Sequence, residues 1–294
     1  MKRIFPREFE SIEPRILRYP GLIQSRVSAT LGGFMTTNDA PKTFAVDALE
    51  VKVYVNEDAM AKAAADVVQR YLVERLERQT LVRAILATGN SQIRFLKALI
   101  ELGGVDWSRV ELFHMDEYLG ISKDHSASFR KYMRERVETL IQPKAFHYLE
   151  GDAAQPLDEC ARYTALLNQA PIDLCCLGVG ENGHIAFNDP PVADFEDPHS
   201  VKLVQLDEAC KTQQVGEGHF PSLESVPGYA LTLTIPALCR AERMICLAPE
   251  TRKSKAIKQA LENPVSTDCP ASYLRTKSQA TLFLDSDSAA LLEL

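Results

Sequence analysis

Gly178-Val-Gly-Glu-Asn-Gly-His-Ile-Ala-Phe-Asn-Asp-Pro190 begins at the end of an apolar run, Ile172 to Val179. That short, continuous run, with Cys175-Cys176 at its centre, reads as a strand buried on both faces of a parallel sheet. Open α/β sheets bind ligands at the carboxyl ends of such strands. The stretch puts a lone histidine, His184, on a glycine-rich turn at that end, five residues before Asp189. A second apolar run, Val110-Glu-Leu-Phe-His-Met-Asp116, ends on the adjacent carboxylates Asp116 and Glu117. Successive strand side chains point oppositely, so only one of the two acids is expected to face a ligand. A histidine and a carboxylate delivered to one rim suggest proton-transfer chemistry on a small molecule.

Outward from these two runs the chain alternates between short apolar segments and amphipathic ones. Strands are expected at Val51–Val55, Arg83–Ala87, Val110–Met115, near Phe146, and at Leu174–Val179. Further strands are expected at Val201–Leu206, Ala230–Thr234, Met244–Ala248 and Thr281–Leu284. Helices are expected at Asp58–Arg78 (capped by Asp58), Gln92–Glu101, Ser126–Glu138, Asp158–Asn168 and Ser254–Leu261. Asp189 to Pro198 is a proline- and acid-rich loop. This β-then-α order predicts an α/β fold with one mostly parallel sheet flanked by helices. The first residues, with Pro6, Pro14, Pro20 and Pro41 and weak periodicity, read as an N-terminal extension over 1–45.

Composition narrows the classes of function. A chain of 294 residues, 46% hydrophobic and 25% charged, has material for a sizeable core. Its net charge of −7 argues against nucleic acid or an acidic membrane as partner, and an anionic substrate would need a local positive patch. No apolar stretch is long enough to span a bilayer, and the start lacks a signal-peptide core. Seven scattered cysteines without a Cys-x-x-Cys suggest reduced thiols, hence a cytoplasmic protein.

Four motifs bear on chemistry. Gly178-x-Gly-x-x-Gly183 matches a dinucleotide fingerprint in form, but Asn188-Asp-Pro-Pro191 blocks the helix such a turn must open, so no nicotinamide cofactor is expected. His114-x-Asp116-Glu117 has no second histidine at a useful spacing, so no metal site is expected. Thr88-Gly89-Asn90-Ser91 lies between a strand and a helix, where backbone N–H groups and the helix dipole favour a phosphate. An ordinary βα turn is the commoner meaning of such a loop, and the loop alone does not decide. Thr251-Arg-Lys-Ser-Lys255 opens a late helix. Most such runs are solvated basic faces, yet in an acidic chain Lys253 beside a helix N-terminus is placed to hold an anion.

Together, Met115-Asp-Glu-Tyr-Leu-Gly120, the Gly178–Pro190 stretch and the lysine-led late helix resemble the glucosamine-6-phosphate deaminase/isomerase family, from about Val51 to the end. The resemblance implies a three-layer Rossmann-like domain over 46–294, shared with 6-phosphogluconolactonases and sugar-phosphate sensor domains. Lactonases typically carry Asp-Glu-Arg where this chain has Asp116-Glu-Tyr118, and Gly-His-Thr-Ala where it has Gly183-His-Ile-Ala186. Both differences favour the deaminase branch. The implied activity is aldose–ketose isomerisation and deamination of glucosamine 6-phosphate to fructose 6-phosphate and ammonia, without cofactor or metal. By the same resemblance Asp116 is the base that moves a proton between C2 and C1, and His184 opens the sugar ring. Asn182 and Asp189 would orient His184, while Thr88, Gly89, Asn90, Ser91 and Lys253 would hold the phosphate. The partner is then a phosphorylated amino sugar, and a homo-oligomer is compatible with this. The alternatives are a sugar-phosphate lactone hydrolase and a non-catalytic sugar-phosphate sensor. Three positions depart from the family pattern: Asn182 stands where some members have Asp, and Asp189 where most have Glu. Gln213 and Gln214 stand where a phosphate-binding arginine is expected, with Lys211 the nearest cation.

Overall fold

A computed structural model of the protein describes residues 40–293. In chain order the strands are β1 (Lys42–Val46), β2 (Leu49–Tyr54), β3 (Val82–Leu86), β4 (Val110–His114), β5 (Asp116–Tyr118), β6 (Ala145–His147), β7 (Leu174–Gly178), β8 (Val201–Gln205), β9 (Tyr229–Leu233), β10 (Arg243–Leu247) and β11 (Ala280–Asp285). The helices are α1 (Glu57–Arg78), α2 (Asn90–Leu102), α3 (Phe129–Met133), α4 (Thr139–Ile141), α5 (Pro156–Leu167), α6 (Glu208–Gly216), α7 (Ile235–Cys239) and α8 (Ser254–Glu262). A wider helical turn, Arg134–Glu138, joins α3 to α4.

Eight strands form the main sheet in the order β1-β2-β11-β10-β7-β3-β4-β6. All neighbours run parallel except the β1–β2 hairpin at the edge. Alternation along the central strands splits the core into two layers. Val82, Ala84 and Leu86 of β3 pack with Met60, Val68 and Phe95 of α1 and α2. Ile85 and Ala87 face the other way, toward Tyr163 and Leu167 of α5 and Ile257 of α8. The result is the expected helix–sheet–helix sandwich. Both faces of β3 and β7 are buried, which is why their sequences are apolar but for Arg83.

Four features differ from the sequence expectations. The segment 1–45 lies outside the described residues as far as 39, but Lys42 onward is sheet: β1 pairs with β2 from Lys42↔Val53 to Val46↔Leu49. Its side chains are half exposed at an edge, so its pattern lacks a clean apolar period. Helix α1 is capped by Asn56, whose side chain accepts from Ala59 N at 2.9 Å, not by Asp58. Asp58 instead pairs with Arg94 on α2. The strands at β8 and β9 do not join the parallel sheet. With β5 they form a separate three-stranded antiparallel sheet, order β5-β9-β8. The short helices α6 and α7 were not anticipated. No helix among the described residues is long and apolar enough to cross a membrane.

At the amino ends of the central strands, away from the motifs, Asp173 ties helix to strand. Its 4%-exposed carboxylate accepts from Arg75 Nη2 at 2.7 Å, Gln79 Nε2 at 2.8 Å and Arg83 N at 2.8 Å. Asp173→Ala strands three donors and is expected to cost about 3 kcal/mol of stability. Denaturant unfolding should show that loss, while kcat of the folded variant stays unchanged.

Candidate active site

The chain moves from β3 to β4 on one side of β3, and later places β7 on the other side. That reversal leaves a crevice above the carboxyl ends of β3 and β7, the usual ligand position in such sheets. Four adjacent strands, β10, β7, β3 and β4, end here, and each is followed by one of the sequence motifs. A pocket in this crevice is lined by Thr88, Gly89, Asn90, Ser91, Asp116, His184 and Lys253. Of the predicted site residues, Asn182 and Asp189 do not line the pocket; both contact His184.

The loop after β3 turns at Thr88-Gly89, and α2 begins at Asn90, earlier than the expected Gln92. Gly89 has φ 99°, outside the ordinary range for an L side chain, so glycine is required for this turn. Asn90 and Ser91 therefore present first-turn backbone N–H groups to the pocket. Lys253, just before α8, lines the same pocket and is only 3% exposed. Burial draws its ammonium below the usual lysine range, with the Glu217 carboxylate opposing that shift. A buried cation sharing a pocket with a helix N-terminus is suited to an anion.

Asp116 and Glu117 have separate tasks, as strand alternation requires. Asp116 faces the pocket at 7% exposure, with Oδ1 buried and making no hydrogen bond. Burial, and then the neighbouring Glu117 charge, push its carboxyl well above the usual range, so it is a stronger base than an exposed aspartate. Glu117 is fully buried and takes Ser128 Oγ at 2.8 Å, Phe129 N at 3.1 Å and Arg130 N at 3.0 Å. It holds the start of α3. His114 is also structural: it accepts Leu149 N at 2.7 Å through Nε2, and burial lowers it to about 3, so it stays neutral.

His184 sits on the turn after β7. Its Nδ1 lies 2.8 Å from Asp189 Oδ1, and Asn182 Nδ2 donates to the same oxygen at 2.9 Å. Asn182 Oδ1 accepts the His184 backbone N–H at 3.1 Å, so one amide braces both ends of the pair. Although burial pushes the Asp189 carboxyl up, these partners hold it below the usual range as an anion. The glycines serve packing, not a dinucleotide. A Cβ on Gly180 would stand 2.3 Å from the His184 ring, and one on Gly183, at φ 83°, 2.6 Å from Cys269 Sγ.

The sequence reading missed the wall contributed by α6 and the loop after it: Gln213, Gln214, Glu217 and His219. Gln214 accepts the Tyr118 hydroxyl at 2.5 Å, and Gln213 spans from Glu181 N to the Glu217 carboxylate. Burial raises Glu217, but His219, Lys253, Arg252 and Gln213 together hold it down at about 2. Lys211 does not replace the expected arginine, since its ammonium lies by Glu208 and outside the pocket lining. Cys210 of the same helix joins His184 and Asp189 in a cluster whose S, N and O atoms lie within 4.8 Å of one another. Among the described residues this is the one trio close enough to hold a metal ion.

A family model for glucosamine-6-phosphate isomerases/6-phosphogluconolactonase matches residues 55–283. The chain belongs to this family. One relative, a glucosamine-6-phosphate deaminase of Exiguobacterium sibiricum, is 35% identical over 207 residues, covering 70% of this chain and 80% of its own. A second, from Thermoanaerobacter sp., is 32% identical over 83% of this chain and 95% of its own, and is also a glucosamine-6-phosphate deaminase. Among solved structures, a monomeric glucosamine-6-phosphate deaminase superposes with a TM-score of 0.76 at 29% identity, covering 82% of this chain and 99% of the other. A 6-phosphogluconolactonase from Shewanella baltica reaches 0.67 at 16% identity, a likeness of fold. Family membership accounts for the order of the motifs along the chain.

Proposed function

We propose that the protein is a glucosamine-6-phosphate deaminase that needs neither metal nor coenzyme. The observation that carries this reading is that Asp116, whose buried Oδ1 has no hydrogen-bond partner, shares one pocket with the Asp189-braced His184 and with the anion-suited Asn90, Ser91 and Lys253. His184 takes the proton from the anomeric hydroxyl and returns one to the ring oxygen, which opens the pyranose. The resulting C1 carbonyl acidifies the C2 proton, and Asp116 removes it. Returning a proton to C1 leaves an imine at C2. Water adds there and ammonia departs, giving fructose 6-phosphate. Binding of the remote phosphate holds C2 near Asp116 during these steps. We place the protein in the cytoplasm, a reading supported by its seven free cysteines.

Ammonia release across a panel of hexosamine and hexose phosphates tests the assignment. Release from glucosamine 6-phosphate alone, or from close amino-sugar phosphates, is expected. Hydrolysis of 6-phosphogluconolactone without ammonia release from any amino sugar would favour the lactonase reading. Lys253→Ala is expected to raise KM for the phosphorylated sugar roughly 10- to 100-fold, the loss of one charge-assisted contact. Affinity for a non-phosphorylated analogue should hardly change, and equal losses for both would give Lys253 a structural role.

A further inference from the structure

Asp189 is fully buried; Asn182 Nδ2 donates to its Oδ1, and His184 Nδ1 lies 2.8 Å from that same oxygen. Its second oxygen, Oδ2, is buried without a conventional hydrogen-bond partner. A bare carboxylate oxygen in a dry site is costly, so a donor in reach changes both its energy and its orientation. The candidate donor comes from α6: Cys210, 1% exposed, whose Sγ lies within 4.8 Å of a carboxylate oxygen of Asp189 and a ring nitrogen of His184. We propose that Cys210 is a positioning residue for the deaminase reaction, its thiol proton directed at Asp189 Oδ2 as the third donor that fixes the carboxylate behind His184.

The protonation states agree with this arrangement. Burial, followed by the Asp189 charge, pushes the Cys210 thiol well above its usual range, so it keeps its proton. Asp189 is held as an anion by His184 and Asn182 against the effect of burial. A thiol is a weak donor, but a directional one. It ties the placement of α6, which carries Gln213 and Gln214 into the pocket wall, to the orientation of the catalytic histidine. Cys210 touches no reacting atom. Its influence passes through Asp189 to His184 and therefore falls on ring opening, not on proton transfer at C2.

The inference rests on the deaminase reading, and the test separates the two, because wild-type ammonia release is measured first. Cys210→Ala and the near-isosteric Cys210→Val remove the donor, whereas Cys210→Ser keeps one. For cyclic glucosamine 6-phosphate, Ala and Val are expected to lower kcat roughly tenfold with KM little changed, and Ser to recover most of that loss. On an analogue lacking the C4 and C5 hydroxyls, which can close neither a furanose nor a pyranose ring, all three should exchange the C2 hydrogen at the wild-type rate. Equal kcat for Ser and Ala, or equal losses on both substrates, would overturn the proposal. Should Ala and Val fail to fold, the S–H stretching band of the wild type, assigned by difference from Cys210→Ser, decides. It is expected below the free-thiol position and to return toward it in Asp189→Asn. A band at the free-thiol position in the wild type would overturn the proposal.

Discussion

Asp116→Asn is expected to bind glucosamine 6-phosphate and lose turnover by ~10²–10⁴-fold, the contribution of a positioned general base. Asn keeps the shape and hydrogen-bonding capacity of the side chain but cannot accept a proton from carbon. Exchange of the C2 hydrogen with deuterated water should fall in step with ammonia release. Near wild-type exchange in this variant would remove Asp116 from the mechanism. The same substitution should stabilise the fold. Burial raises the folded-state pKa of Asp116 above its unfolded value. A carboxyl of that kind favours folding fully only below its unfolded pKa, and the contribution is lost as pH rises through the folded value. Asparagine does not titrate, so Asp116→Asn should melt higher than wild type near neutral pH, with the gap closing in acid. The raised pKa also places the acid limb of kcat/KM above the usual carboxylate range, because the base must be ionised to act.

Removing the ring-opening histidine is the second large effect. His184→Ala is expected to slow turnover of the cyclic sugar by ~10²–10⁴-fold. It should leave C2 exchange nearly intact in the analogue that lacks the C4 and C5 hydroxyls and so stays open. Asp189→Asn should show the same selectivity with a smaller loss, since it replaces the anion that would stabilise an imidazolium 2.8 Å away. Near-normal turnover by Asp189→Asn would reduce Asp189 to a cap on the turn before Pro190. Asp189→Glu tests the room behind His184. The carboxylate is fully buried and already in contact, so an added methylene must displace Asn182 or the ring.

The central strands and their loops were legible because both faces of β3 and β7 are buried, which writes each strand as a short, mainly apolar run ending at a motif. The same logic separated Asp116 from Glu117, since alternate strand positions face opposite ways. Edge and antiparallel strands were harder. β1 is half exposed, and β8 and β9 look like sheet strands in sequence while nothing local says which sheet they join. The Asp58 cap was misplaced because Asn56 and Asp58 are both good caps, and only the start of the backbone turn decides between them. The α6 wall stayed hidden for a physical reason. Glu208 to Gly216 is mostly polar: Gln213 and Gln214 are buried against the pocket, and of its fully buried residues Cys210 alone packs into an apolar cluster, with Phe187, Val204 and Phe220. Amide and thiol side chains give no hydrophobic period by which to find such a helix. The departure from the expected arginine at Gln213 and Gln214 was its one visible trace.

Turnover of glucosamine 6-phosphate deuterated at C2 tests the proposed chemistry most directly. The account predicts that the label leaves C2 as ammonia forms, appearing in solvent or at C1 of fructose 6-phosphate, with a slower rate than the unlabelled sugar and no label loss in Asp116→Asn. A protein that leaves the C2 label untouched and releases no ammonia, while hydrolysing a sugar-phosphate lactone, would contradict it.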